Sequence, residues 1–142
     1  MKILIINGPN INMLGIREPD IYGSRSYKDL IEFIKEGAEP SDELIFVQSN
    51  HEGDIIDYIQ RAYFEDFDGI IINPAAYTHT SIAIADALKA IKVPAVEVHI
   101  SDIKARESYR SKSIVEDATV ATITGKGFNG YIEALNILHE LD

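Results

Sequence analysis

Short apolar runs of strand length alternate along the chain with segments in which apolar residues recur at helical spacing. The runs at residues 2–6, 44–48, 69–73, 93–98 and 118–124 predict five strands. Between them, 54–64 places Ile55, Ile56, Ile59 and Tyr63 on one side of a helix, 80–91 is an Ala-rich helix, and 128–138 is a closing helix. Ser26, with Asp29 three residues on, forms a capping signal for a further helix through Lys35. A short helical turn is predicted over 103–110, and a long Gly/Pro/Asn-containing loop over 7–25. Strands that are apolar on both faces and separated by helices imply a parallel sheet covered on both sides. Five such units predict a flavodoxin-like doubly wound α/β fold, strand order 2-1-3-4-5, in one domain spanning 1–142. Ligands of such sheets bind at the carboxyl ends of the strands, beside the point where the order reverses.

By that rule the segments just past the strands are where chemistry is expected. Strand 1 runs into Asn7-Gly8-Pro9-Asn10-Ile11-Asn12-Met13-Leu14-Gly15, then Arg17-Glu18-Pro19 and Ile21-Tyr22-Gly23. Strand 2 runs into Gln48-Ser49-Asn50-His51-Glu52-Gly53, strand 3 into Asn73-Pro74-Ala75-Ala76-Tyr77-Thr78-His79-Thr80-Ser81, and strand 4 into Glu97-Val98-His99-Ile100-Ser101. Three of the four histidines and most of the amides thus fall on one rim. Taken singly, many have plainer explanations. Asn7, Asn10 and Asn73-Pro74 are ordinary turn residues, and His79 with its flanking hydroxyls equally fits a helix start. Arg106 and Arg110, four apart on one helical face, are more often solvated surface than ligands. Tyr22 sits in a loop long enough to be a binding loop, but a surface tyrosine fits its spacing as well. Glu97 is the exception. It shares a strand side with His99 between Val96, Val98 and Ile100, and a carboxylate buried there without a partner costs several kcal/mol, about 3–5 when one member of a buried pair is removed.

Charge and composition narrow the partners. Thirteen Lys and Arg against twenty-three Asp and Glu leave a net charge of −10, which disfavours nucleic acid and anionic lipid surfaces. Yet Lys104, Arg106, Arg110 and Lys112 gather four of the thirteen cations into nine residues, so a small anionic ligand stays in view. With no cysteine, thiolate-ligated metals and thiol nucleophiles drop out. The apolar start, too short for a signal segment, fits a cytoplasmic protein. Three other readings of this fold compare poorly. A phosphorylated signalling domain wants acidic residues where Asn7 and Asn73 stand, a flavin module wants hydroxyls after strand 1, and a metal-dependent hydrolase wants histidine spacing that His51, Glu52, His79 and His99 lack. A purely structural oligomerisation module stays open until turnover is tested.

Together the five motifs, in order and across essentially the whole chain, resemble those of type II 3-dehydroquinate dehydratases. Ala75 stands where that family often has Gly. The resemblance implies dehydration of 3-dehydroquinate to 3-dehydroshikimate, a shikimate-pathway step, by trans elimination through an enolate without metal or organic cofactor. It further implies Tyr22 as the base, Arg17 as the cation that helps ionise it, His99 as the general acid oriented by Glu97, and Asn12 as the holder of a water at the enolate oxygen. Asn73, His79, Ile100, Ser101 and Arg110 are implied substrate-binding positions, and Arg106 a second arginine near the tyrosine. Asp86 is implied to reach the site of a neighbouring subunit in a homododecamer built from trimers.

Overall fold

In the computed structural model, which describes residues 1–16, 20 and 24–142, five parallel strands form one sheet. These are β1 (Lys2–Asn7), β2 (Glu43–Gln48), β3 (Gly69–Asn73), β4 (Ala95–His99) and β5 (Ala121–Thr124), in the order β2-β1-β3-β4-β5. Helices α1 (Tyr27–Gly37), α2 (Glu52–Phe64), α3 (Ile82–Ala90) and α4 (Asn129–Leu141) connect and cover them. The two-residue period of a strand explains the layering. Ile3 and Ile5 of β1, with Ile71, Val96 and Val98, face Leu30 and Ile34 of α1 and Tyr131, Leu135 and Leu138 of α4. The alternate residues Leu4, Ile6, Ile70 and Ile72 face Ile55 and Ile59 of α2 and Ile84 and Leu88 of α3. Ile3 to Ile6 are fully buried, so burial on both faces accounts for the unbroken apolar runs of the central strands.

Serine side chains cap the starts of α1 and α3. Ser26 Oγ accepts the Asp29 N–H at 3.1 Å while the Asp29 carboxylate accepts the Ser26 N–H at 2.9 Å, the reciprocal pair that the Ser/Asp spacing predicts. At α3 the cap is Ser81, whose Oγ accepts the Ile84 N–H at 3.0 Å, so the helix begins later than the Ala-rich pattern suggests. β4 likewise starts after Pro94, which has no N–H to give to the sheet although its carbonyl accepts from Ile70 at 2.9 Å. Before β5, Val115–Ala118 turns as a 3-10 helix, leaving only the last four residues of the apolar run as strand.

The predicted helical turn over 103–110 is instead two 3-10 turns, Ile103–Ala105 and Ser108–Arg110. Arg106 between them is extended, at φ −95° and ψ −166°, so Arg106 and Arg110 do not share a helical face. Chain folding across the strand ends, rather than a helical repeat, sets their positions.

Two backbone positions at the switch point between β1 and β3 carry strict demands. A Cβ on Gly8 would lie 2.7 Å from the Pro74 carbonyl oxygen, so only glycine lets the strand ends approach this closely. Ala75 has φ 54°, in the left-handed region that disfavours a side chain. This gives a backbone reason for glycine at the position in the family that the motifs resemble; the exchange is more than one small residue for another. Ala75→Gly relieves this conformation while adding unfolded-state entropy, and is expected to stabilise the fold by up to about 1 kcal/mol. A denaturant midpoint shifted upward at constant slope verifies it; a lower midpoint refutes it.

Candidate active site

The carboxyl ends of β1, β3 and β4 open into a cleft of about 480 Å³ including its mouth. Its wall carries Asn73 from β3, His79 from the 3-10 turn Ala75–His79, and His99 from β4. Ile100 and Ser101, just past β4, line it too, as do Arg106 and Arg110 from the segment beyond. Pro9, Asn10 and Ile11 also line the cleft.

Glu97 stands behind this wall, fully buried. Its carboxylate accepts from His99 Nε2 and Thr78 Oγ1, and from Ser113 Oγ at 2.9–3.0 Å. Burial pushes the Glu97 carboxyl upward, but the hydrogen bond and charge of His99, with the bonds from Thr78 and Ser113, outweigh it and hold the group below its ordinary range. The buried carboxylate thus has the partner its sequence position demands, and two more. A carboxylate depressed in the folded state contributes stability that is fully present above its unfolded value of about 4.3 and is lost as pH falls through the lower folded value. Glu97→Gln is expected to flatten the acid fall of unfolding free energy in that window and to cost about 1–3 kcal/mol at neutral pH. Denaturant titrations at several pH values measure both effects, and parallel acid limbs for the two proteins would remove Glu97 from the linkage.

Asn73 is held by a second buried network. Its Nδ2 donates to the Tyr131 hydroxyl at 3.1 Å, that hydroxyl donates to Asn7 Oδ1 at 2.6 Å, and Asn73 Oδ1 accepts the Ala75 N–H at 3.1 Å. Burial raises the Tyr131 phenol far above its ordinary value, against a smaller opposing effect of the Asn73 bond, so it stays protonated and ties α4 to both central strand ends. His79 donates through Nδ1 to the Lys112 carbonyl at 2.7 Å, which leaves Nε2 for the cleft; the helix cap next to it belongs to Ser81.

Not every expected residue joins the cleft. Asn12 is exposed in the 3-10 turn Ile11–Met13, where its Oδ1 accepts from Gln48 Nε2 at 3.3 Å. Asp86 is exposed on α3 and does not line this chain's cleft. Arg17 and Tyr22 lie outside the described residues. Thr78, Ser113 and Tyr131 were not singled out by the sequence. Thr78 sits inside one of the motifs, and the need of a buried phenol for a partner is the one hint at Tyr131; nothing in the sequence marks Ser113.

Electrostatically the cleft opposes the chain around it. Among the described residues its wall holds two arginines and two histidines but no carboxylate, although Glu107 lies 3.1 Å from Arg110 Nε and 3.9 Å from Arg106 Nε just outside. The charge suits a small anion in a protein of net charge −10. A shared-metal reading of His51, Glu52, His79 and His99 finds no support in the geometry. Among the described residues the groups close enough to share an ion are Glu39, Asp42 and His139, at the amino-terminal ends of β1 and β2, where Asp42 already accepts from His139 and from the terminal ammonium of Met1.

A flavodoxin-like sheet whose switch-point cleft joins a carboxylate-backed imidazole to arginines and amides defines an acid–base site for a small anionic molecule. Comparison with known proteins makes this more specific. The model of the family "Dehydroquinase class II" matches residues 1–139. A 3-dehydroquinate dehydratase of Caldicellulosiruptor bescii is 57% identical over 141 residues, covering 99% of this chain and 97% of that one. One from Clostridium perfringens is 55% identical over 139 residues, covering 97% and 96%. The crystal structure of a type II dehydroquinase from Butyrivibrio crossotus superimposes with a TM-score of 0.95 at 50% identity, covering 98% of this chain and 97% of the other. The chain belongs to the class II dehydroquinase family.

Proposed function

We propose that this chain dehydrates 3-dehydroquinate to 3-dehydroshikimate by trans elimination through an enolate, serving the shikimate pathway. The observation that carries the reading is the buried Glu97–His99 pair at the wall of a cationic cleft, in a chain of this family. Removing a proton next to a ketone needs a base, a place for the enolate charge and an acid for a poor leaving group. His99 is the acid, and Glu97 orients its ring toward the cleft. Tyr22 is the base, and Arg17 with Arg106 favours its phenolate. Asn12 holds a water at the enolate oxygen, reaching it from the rim. The substrate carboxylate and hydroxyls are bound by Asn73, His79, Arg110 and the backbone at Ile100 and Ser101.

The reaction moves protons and a hydroxyl only, so the mechanism calls for no metal or organic cofactor. We place the protein in the cytoplasm as a homododecamer built from trimers, with Asp86 reaching a neighbour's cleft; its exposure on α3 leaves it available for that contact. Among the described residues no helix is long and apolar enough to cross a membrane. The experiment is direct: purified protein mixed with 3-dehydroquinate is expected to produce the growing absorbance of a conjugated enone. A flat trace at high enzyme concentration would reject the activity.

A further inference from the structure

The hydroxyls behind Glu97 determine more than its charge. Thr78 Oγ1 contacts Glu97 Oε2 and lies 2.8 Å from Ser113 Oγ. Ser113 Oγ lies 3.0 Å from Oε1 and 2.9 Å from Oε2, and accepts the Glu116 N–H at 3.0 Å. Two hydroxyls carry two protons. An ionised carboxylate accepts from both, and the third contact on it must then be an N–H of the imidazole. His99 meets Glu97 through Nε2, so the Nε2 position is the protonated one. The other ring nitrogen, Nδ1, is the one left for chemistry in the cleft.

We propose that Thr78 and Ser113 are positioning residues for the acid step, which by donating to both Glu97 oxygens fix the proton of neutral His99 on Nε2 and make Nδ1 the atom that delivers the catalytic proton. This rests on the dehydratase reading only for its kinetic consequence. There the Nδ1–H proton passes to the departing hydroxyl oxygen as its carbon–oxygen bond breaks, giving water and a neutral imidazole that still holds its Nε2 proton. The charged and titratable groups around His99 among the described residues are Glu97, bonded to it, and His79, Arg106 and Arg110, which line the same cleft. Of these Glu97 alone bonds to the ring, so the hydroxyls that hold Glu97 control the tautomer. His79, which donates through Nδ1 to Lys112, presents the reverse arrangement and serves as an internal reference.

Nitrogen NMR of histidine-labelled protein tests the assignment, with His99→Asn identifying the His99 signals. Above the imidazole titration, neutral His99 is expected as the Nε2–H form and His79 as the Nδ1–H form. A wild-type His99 in the Nδ1–H form overturns the proposal whatever the activity, whereas an Nε2–H form in a protein without turnover counts against the dehydratase reading alone. Thr78→Val, which keeps the shape and removes the hydroxyl, is expected to mix the tautomers of His99 and lower kcat roughly ten-fold with little change in KM. Thr78→Ser, which keeps the hydroxyl, restores both. Ser113→Ala repeats the test if Thr78→Val does not fold. Unchanged kcat and an unmixed tautomer in either folded variant would reduce the two hydroxyls to packing and overturn the inference.

Discussion

His99→Asn is expected to fold normally and to turn over about 10²- to 10⁴-fold more slowly, the range for loss of a general acid. Folding survives because the fully buried carboxylate keeps its donors Thr78 and Ser113 when the imidazole N–H is lost. KM should change little, since Asn73, His79, Arg106 and Arg110 still line the cleft. The loss falls on kcat because hydroxide is a poor leaving group, and an acid that protonates it acts in the transition state rather than in the bound complex. Steady-state rates by enone absorbance and a thermal melt decide the matter. A loss of less than about ten-fold would hand the acid role to His79, the other imidazole of the cleft.

The contrast between His99 and its supports shows where the sequence was legible. Unbroken apolar runs of strand length, apolar residues recurring at helical spacing and the Ser26/Asp29 spacing are local signals, and they place the sheet order and the helices because topology rules leave few ways to connect such units. Glu97 was readable for a related reason: a charge among Val96, Val98 and Ile100 contradicts its surroundings unless something compensates for it. The compensation itself was not readable. Ser113 lies sixteen residues beyond Glu97, past two 3-10 turns, and it reaches the carboxylate only because the 103–110 segment folds back across the strand ends.

The same segment explains the one misplaced pair. Spacing of four suggested that Arg106 and Arg110 share a helical face, whereas an extended Arg106 separates two turns and both side chains still come to one cleft. Ala75 is a milder case. Its size looks innocuous in the sequence, and its cost becomes visible only with its positive φ.

Tyr22→Phe is expected to lower kcat by about 10²- to 10⁴-fold while leaving the affinity for product nearly unchanged. Among the described residues of the cleft the candidates for the base are few. Arginine cannot lose its proton in a protein, which removes Arg106 and Arg110. His99 has the acid role in the proposed mechanism, and one imidazole does not serve as acid and base in the same elimination across opposite faces of a substrate. His79 is the remaining described candidate, while Tyr22 is the candidate that the family resemblance supplies. A phenol with an ordinary pKa near 10 is only about one-thousandth ionised at neutral pH, a deficit of roughly 4 kcal/mol. An opposite charge within about 4–6 Å lowers a pKa by about 1–3 units, so in the proposed mechanism one or two arginine charges beside the phenol would supply most of that deficit. The hydroxyl is therefore the group whose removal matters, and phenylalanine removes it alone. Measuring kcat by enone absorbance and product binding by calorimetry separates the roles. Near-normal turnover of the Phe variant would move the base to His79, and weakened product binding with unchanged kcat would make Tyr22 a binding residue.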